Sequence, residues 1–257
     1  LSILAACAMA SHRPAQALYL MTAPSGTGLR TRVAEFAWRV KNWTRPLGWK
    51  RIGGPCQLMG TGMAFPWSIA KDMNLANGHL VEDMKLGIDL ALQGFPPLFC
   101  PDARVTSEFP TTEAAAQTQR TRWEHGHLGM IAAYAPQLLW HGISRRVGET
   151  LILGLDVVVP PLALLAGLLF LFLLLAAALY LYAQAAILFI ASAGLMVAFS
   201  ATILLAWARW GRDVVSLSEL LSIPTYIAGK LPVYLSFLFK RQTEWVRTDR
   251  TDDSARK

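Results

Sequence analysis

Gln119-Arg120-Thr121-Arg122-Trp123 is the stretch on which the reading of this chain turns. Pro110-Thr111-Thr112-Glu113 just ahead of it has the form of a helix start, so Gln119, Arg122 and Trp123 fall at i, i+3 and i+4 of one helix. They then share a face that offers an amide, a guanidinium and an aromatic plane. A guanidinium suits forked hydrogen bonds to a diphosphate, and a flat ring suits the apolar face of a sugar. A snorkelling Arg and an interfacial Trp beside a membrane would carry the same letters. The meaning of the stretch therefore depends on what stands before and after it.

Before it stands Val81-Glu82-Asp83, at the start of a helix expected to run to about Gln93 and to stop at Gly94. The helix dipole favours an ionised carboxylate in that first turn. Such a carboxylate can take a proton from an attacking hydroxyl, or it can merely decorate the turn. Further upstream, Gly60-Thr61-Gly62 interrupts the apolar run Cys56–Phe65. That run is expected to be a strand delivering a tight turn at which backbone approaches a ligand.

After it the charge disappears: residues 157–206 hold no charged side chain. Leu151–Leu181, kinked or started afresh at Pro160-Pro161, and Ala183–Trp207 can each supply the ~20 apolar residues a bilayer core needs. Arg145 and Arg146 precede this pair, Arg209 and Arg212 follow it, and the connection around Tyr180–Gln184 is uncharged. That bias puts both outer ends in the cytosol. Leu217–Phe239 is apolar but broken by Glu219, Pro224, Lys230 and Pro232. An interfacial or re-entrant segment fits it better than a third span, which would carry Lys240, Arg241, Arg247 and Arg250 outside.

An acid, then Q-x-x-R-W, then membrane segments: this order resembles the processive, membrane-embedded family-2 glycosyltransferases, among them cellulose, hyaluronan and poly-N-acetylglucosamine synthases. The resemblance runs from about Gln16 to Arg250. It implies an inverting transfer from a nucleotide-sugar, UDP-linked in that family, to a growing polysaccharide that the membrane helices translocate. Asp83 becomes the general base, with Glu82 orienting its neighbours. Arg122, with Gln119, faces the donor diphosphate, and Trp123 forms the floor under the acceptor's terminal sugar. Gly60, Thr61 and Gly62 fall at the acceptor-site motif, where cellulose synthases have Phe-Cys-Gly-Ser and this chain has Leu58-Met59-Gly60-Thr61. Trp245, Thr248 and Arg250 are the candidate gating loop, matching F-x-V-T-x-K except that Val246 is displaced by one position. Ceramide-type glucosyltransferases share a related (Q/R)-x-x-R-W pattern, so single transfer to a membrane lipid is the alternative; an inactive scaffold lacking its donor-binding half is another.

In that family a divalent cation, Mg2+ or Mn2+, sits on D-x-D aspartates. No D-x-D occurs in this chain. The chain opens at Leu1 rather than Met and is read as starting inside a longer protein, with the cation's ligands in an upstream half. The resemblance also leaves room for an accessory membrane or periplasmic subunit. The expected fold is α/β: the C-terminal half of a GT-A, Rossmann-like nucleotide-sugar domain over residues 1–127, an interfacial connecting helix over 128–150, a transmembrane hairpin over 151–210, and an interfacial segment with a basic cytosolic tail over 211–257. The expected location is the inner or plasma membrane, with the catalytic part and the C-terminus cytosolic.

Local patterns fill in the rest. Leu1–Ala10, Arg30–Trp43 and Ser68–Leu75 read as helices, Gln16–Met21 and Leu98–Thr106 as strands, and Pro46-Leu47-Gly48 and Gly53-Gly54-Pro55 as turns. Hydrophobic residues make up 54% of the sequence and the mean hydropathy is +0.36, too apolar for an ordinary soluble domain. The net charge of +7 suits an anionic leaflet; nucleic acid is excluded as a partner because no nucleic-acid-binding motif accompanies the basic residues. Cys7, Cys56 and Cys100 form no C-x-x-C pair, so neither a zinc site nor a disulfide framework is expected. His125-Gly126-His127 lacks a third ligand in sequence, so no metal site is assigned and a structural or channel-gate role is expected for it.

Overall fold

The chain alternates short helices and strands before giving way to long helices. In order come α1 (Ser2–Ser11), β1 (Ala15–Thr22), α2 (Leu29–Arg39), a π-helical turn (Val40–Thr44), α3 (Arg45–Arg51), β2 (Met63–Ala64), α4 (Trp67–Ala70), α5 (Glu82–Leu92) and β3 (Leu98–Glu108). Then follow α6 (Glu113–Ser144), α7 (Gly148–Val158), α8 (Leu162–Ala183), α9 (Ala186–Trp210), α10 (Leu217–Leu220), α11 (Ile223–Ala228) and α12 (Leu231–Phe239). This computed structural model describes residues 1–73 and 80–239. The candidate gating loop Trp245, Thr248 and Arg250, the basic tail and the far end of the helix expected at Ser68–Leu75 lie outside the described residues.

β1 is buried along its length except at Tyr19 and Thr22, as an apolar strand covered on both faces must be. β3 runs parallel to it from Ala15↔Leu98 to Thr22↔Glu108, with a bulge opposite Ala17/Leu18. β2 pairs antiparallel to β1 at Ala15 and Gln16, giving the sheet order β2-β1-β3. Leu4 and Ala8 of α1 pack on Ala15, Ala17 and Cys100. Leu18, Leu20, Cys56 and Phe99 form a second cluster with Trp43 and Leu47.

α6 is the spine of the helical part. Thr112 caps it, its hydroxyl accepting from the Ala115 N–H at 3.3 Å. A core of Met84 and Ile88 from α5, Met130 and Leu138 from α6, and Leu153 and Val157 from α7 joins the three helices. The two helices that follow are 22 and 25 residues long, with hydropathies of 2.9 and 2.3. At ~1.5 Å per residue each exceeds the ~30 Å hydrocarbon core, so both are long and apolar enough to cross a membrane. Their outer faces present bare Leu168, Phe170, Leu171, Ile187 and Ile190. Beyond them the chain returns to α2: Val214 and Val215 pack with Val33 and Phe36, Arg39 Nη1 meets both Asp213 carboxylate oxygens at 2.8 Å, and Arg32 pairs with Glu219.

Several local expectations need correction. Pro46-Leu47-Gly48 is not a turn but lies within α3, because proline is tolerated in a first helical turn where its missing N–H is not needed. The expected strand Cys56–Phe65 reduces to Met63–Ala64; Gly60 and Gly62 take φ of +80° and +64°, which breaks the extended path before it. The helix expected over Arg30–Trp43 changes to π geometry at Val40. Of the two alternatives for Leu151–Leu181, a fresh start at Pro160-Pro161 is the one seen: α7 ends at Val158, and α8 begins at Leu162. Apart from these corrections, α6 is continuous through residue 127, and Leu217–Phe239, expected to be interrupted, consists of three short helices.

Candidate active site

Asp83 occupies the first turn of α5 and lines a polar pocket of about 280 Å³. Burial pushes its carboxyl up to about 6, and the neighbouring Glu82 adds to the rise; the Met84 N–H and the Lys41 ammonium pull it partly back. At neutral pH it is therefore ionised but poised to accept a proton. The turn at Gly60 lies directly against it: a Cβ there would sit 3.2 Å from Asp83 Oδ2. Gln16 fixes that turn from inside the sheet. Its Oε1 accepts from Met59 N at 2.8 Å, and its Nε2 donates to Thr61 O at 2.9 Å. A fully buried amide in an otherwise apolar strand was the sequence signal for this role, and sequence reasoning passed over it.

Gly126 explains how Q-x-x-R-W reaches the same pocket. A Cβ at Gly126 would fall 2.7 Å from Val81 Cγ1, so α6 can lie against the entry to α5 only with glycine at that position. One turn earlier on α6, Gln119, Arg122 and Trp123 line the pocket together with Glu82, Asp83, Gly60 and Thr61. Seven candidates separated in sequence thus share one cavity. Gly62 stands apart: its Cβ position is filled by Val105 and Ala17, and its carbonyl accepts from Ala17 N at 2.7 Å, anchoring the turn to the sheet.

Trp123 does not act alone. Its ring lies 4.9 Å from that of Trp38 on α2, tilted by 38°. Trp38 is held edge-on by Tyr19 at 5.4 Å, and its Nε1 donates to Tyr19 O at 3.1 Å. Two indoles so braced make an aromatic wall for a sugar-sized ligand. The pattern reading of α2 as a plain amphipathic helix missed Trp38. The histidines beside Gly126 are each held by a backbone carbonyl, and His127 also borders both cavities. His125 Nε2 is 2.9 Å from Val233 O, tying α6 to α12. His127 is buried 3.4 Å from Val157 O, and burial together with Lys41 and Arg45 holds its pKa well below the usual range, so it is neutral.

The far end of the pocket carries Asp156, a second carboxylate the sequence reading did not select. Arg45 Nε reaches it at 2.7 Å, Trp49 Nε1 donates to Oδ1 at 2.7 Å, and Gln57 Nε2 donates to Oδ2 at 2.8 Å. Its position at the edge of a long apolar run was the available signal. Adjoining the polar pocket is a more apolar cavity of about 240 Å³, bounded by α2, α6, the Val159–Pro161 break, α8, α9 and α11. Trp38, Lys41, Gln119, Trp123 and His127 line both cavities.

The sequence profile of glycosyl transferase family group 2 matches residues 8–211, a span that includes the pocket and both long apolar helices. The chain belongs to glycosyl transferase family group 2. No curated protein matches it. As a family-2 glycosyltransferase the protein binds a nucleotide-sugar donor and an acceptor. For the divalent cation expected from the resemblance, the residues present do not suffice: among the described residues no three His, Cys, Asp or Glu side chains gather to hold a metal. The chemistry that this chain's own side chains can support is proton transfer at Asp83, charge stabilisation at Arg122 and stacking at Trp38 and Trp123.

Proposed function

We propose that this glycosyltransferase extends a polysaccharide and passes the product toward its membrane helices. The observation that carries the reading is one pocket that unites Asp83 with Gln119, Arg122 and Trp123 and adjoins, across Trp38 and Trp123, a cavity running to α8 and α9. In the proposed step the acceptor hydroxyl attacks the anomeric carbon of a UDP-linked sugar and the anomeric C–O bond breaks with inversion. Asp83 takes the hydroxyl proton. Arg122 stabilises the negative charge that develops on the departing diphosphate. Trp123 stacks under the sugar that has just been added. Glu82 and Gln119 orient the donor side, and Gly60 and Thr61 present backbone to the acceptor.

In this reading residues 1–127 form the second half of a nucleotide-sugar domain. Among the described residues β1 pairs with β2 over two residues only; beyond Ala17, whose N–H donates to Gly62 O, and Tyr19, whose carbonyl accepts from Trp38 Nε1, no strand pairs with that edge of Leu18–Thr22. A parallel strand from a donor-binding half would cover that edge. A divalent cation would be held by that half, and no step above depends on it. The hairpin of α8 and α9 would span the bilayer with the pocket in the cytosol, and a membrane or periplasmic subunit would take up the product. Trp245, Thr248 and Arg250 would close over the nucleotide.

One observation favours a second reading. The adjoining cavity is largely apolar, as a lipid chain would require, which suits single transfer to a membrane lipid. Product size separates the two. With the membrane-embedded protein from the intact gene, radiolabelled UDP-glucose or UDP-N-acetylglucosamine should yield a long polymer; a one-sugar lipid product would replace the first reading with the second. Transfer left intact by Asp83→Asn would overturn the assigned base.

A further inference from the structure

We propose that Lys41 and Asn42, set side by side on the π-helical turn, form an anion-binding subsite for the acceptor, which therefore carries a carboxylate or a phosphate. The proposal rests on reading the pocket as a site of glycosyl transfer. π-Helical turns are rare and recur where a fold gives functional side chains a direction the α-helix would not. Here the turn Val40–Thr44 joins α2 to α3, and Lys41, Asn42 and Arg45 all line the catalytic pocket.

The three are not equivalent. Arg45 is committed to the fold, with Nε on the Asp156 carboxylate and Nη2 donating to Asp156 O at 3.2 Å. Lys41 forms no hydrogen bond or ion pair among the described residues. Its ammonium stands over the Trp38 ring, 5.7 Å from the centroid. Burial, with Arg45 adding to it, brings Lys41 down to about 8 although Asp83, Asp156 and Glu124 act the other way, so a resident anion would stabilise a charge that no direct ion pair meets. Asn42 is 2% exposed and its Nδ2 has no hydrogen-bond partner. A buried amide donor left unmet is costly, and this one borders the cavity.

Position selects the acceptor over the donor. Lys41 lines both cavities, as does the committed Arg45, whereas Asn42, Arg122 and Asp83 line only the polar one. Lys41 thus stands at the junction with the membrane-side cavity, where acceptor and product pass, and the donor diphosphate is already served by Arg122. What the subsite leaves unmet is donors: the Lys41 ammonium over the Trp38 ring, and the buried Asn42 Nδ2. A neutral sugar needs both donors and acceptors. A uronic-acid carboxylate or a phosphate, on the sugar or on a lipid carrier, needs donors alone.

The test uses the protein from the intact gene in nanodiscs at pH 7. Binding is measured for a glucuronate-terminated oligosaccharide, a neutral oligosaccharide of equal length, a short-chain prenyl phosphate, and UDP. One anionic probe is expected to bind at least ~10-fold tighter than the neutral one, and which one it is identifies the source of the anion. K41Q should abolish that preference, K41R should keep most of it, and N42S should reduce it while retaining the fold. Acceptor affinity should fall at least ~10-fold more than UDP affinity in K41Q. Equal binding of anionic and neutral probes, or a preference that survives K41Q and N42S, overturns the proposal. A parallel loss of UDP affinity in K41Q also overturns it, by moving Lys41 to the donor diphosphate. Failure of the wild-type protein to bind UDP would instead strike the glycosyl-transfer reading itself.

Discussion

Asp83 and Asp156 line the same pocket and are opposites in chemistry. Asp156 is 3% exposed and meets a guanidinium, an indole N–H and a side-chain amide, so its lone pairs are spent on joining α3, the Gln57 segment and α7. Asp83 has two backbone amides, those of Met84 and of Asp83 itself, no side-chain donor in direct contact and only a distant lysine, and burial leaves it near 6. A carboxylate saturated with donors is a rivet; one that is desolvated and under-partnered can hold a proton. Burial alone does not distinguish the two, and neither does location on a cavity wall. The count of donors does.

The comparison can be broken most sharply by activity. Asp83→Asn should lower transfer ~10³-fold while leaving UDP affinity nearly intact, because a general base contributes about that factor. Asp156→Ala should do the reverse. It strands Arg45 and two further donors, costs ~3–5 kcal/mol, and lowers the melting temperature by ~10 °C, while protein that remains folded keeps kcat within a few-fold. If the two variants exchange phenotypes, the assignment of roles is wrong.

Acidity sharpens the contrast. Transfer should fall ~10-fold per pH unit below about 6 as Asp83 protonates, and a kcat–pH profile flat to pH 5 would contradict this. Asp83 titrates above its ordinary value of 3.8, so its ionisation opposes folding: the native state is favoured below that value and loses stability as pH rises through 6. Asp83→Asn should therefore be more stable than wild type at pH 8, by ~1–2 kcal/mol after allowance for partial solvent screening, with the gap closing at pH 4. Melting curves of both proteins at the two pH values read this directly. The smallest effect belongs to Gly60→Ala. The left-handed φ and the new methyl against Asp83 should cost ~1 kcal/mol and about a 10-fold loss of kcat.

The parts of the molecule legible in sequence are those whose signal is local. Val81-Glu82-Asp83 and Gln119–Trp123 lie on ordinary α-helical turns, so spacing placed Gln119, Arg122 and Trp123 on one face, while the resemblance singled out these residues. The hairpin announced itself by the loss of charge. What escaped depended on backbone geometry or on distant partners. The π-helical turn is invisible to 3.6-residue periodicity, so Lys41 and Asn42 were absorbed into the helix expected over Arg30–Trp43 and not singled out. Gln16 looked like a lapse in an apolar strand until Met59 and Thr61 closed on it. Asp156 was not selected because its three side-chain partners, Arg45, Trp49 and Gln57, lie about a hundred residues away in sequence. Trp38 became visible only once β1 and α6 brought Tyr19 and Trp123 to it.

The charge-free hairpin has a consequence for measurement. Residues 157–206 contain no Asp, Glu, Lys, Arg, His or Cys, and no tryptophan. To proton titration near neutrality, to thiol labelling and to tryptophan emission this stretch is silent, while two of the nine tryptophans stack against each other in the pocket wall. Lipid or detergent that acts on residues 157–206 alone, short of Trp207 and Trp210 at the end of α9, leaves all three signals unchanged. A spectral shift on changing the bilayer is then a report from outside that stretch, which makes the native sequence its own blank for detecting mechanical coupling between membrane and pocket.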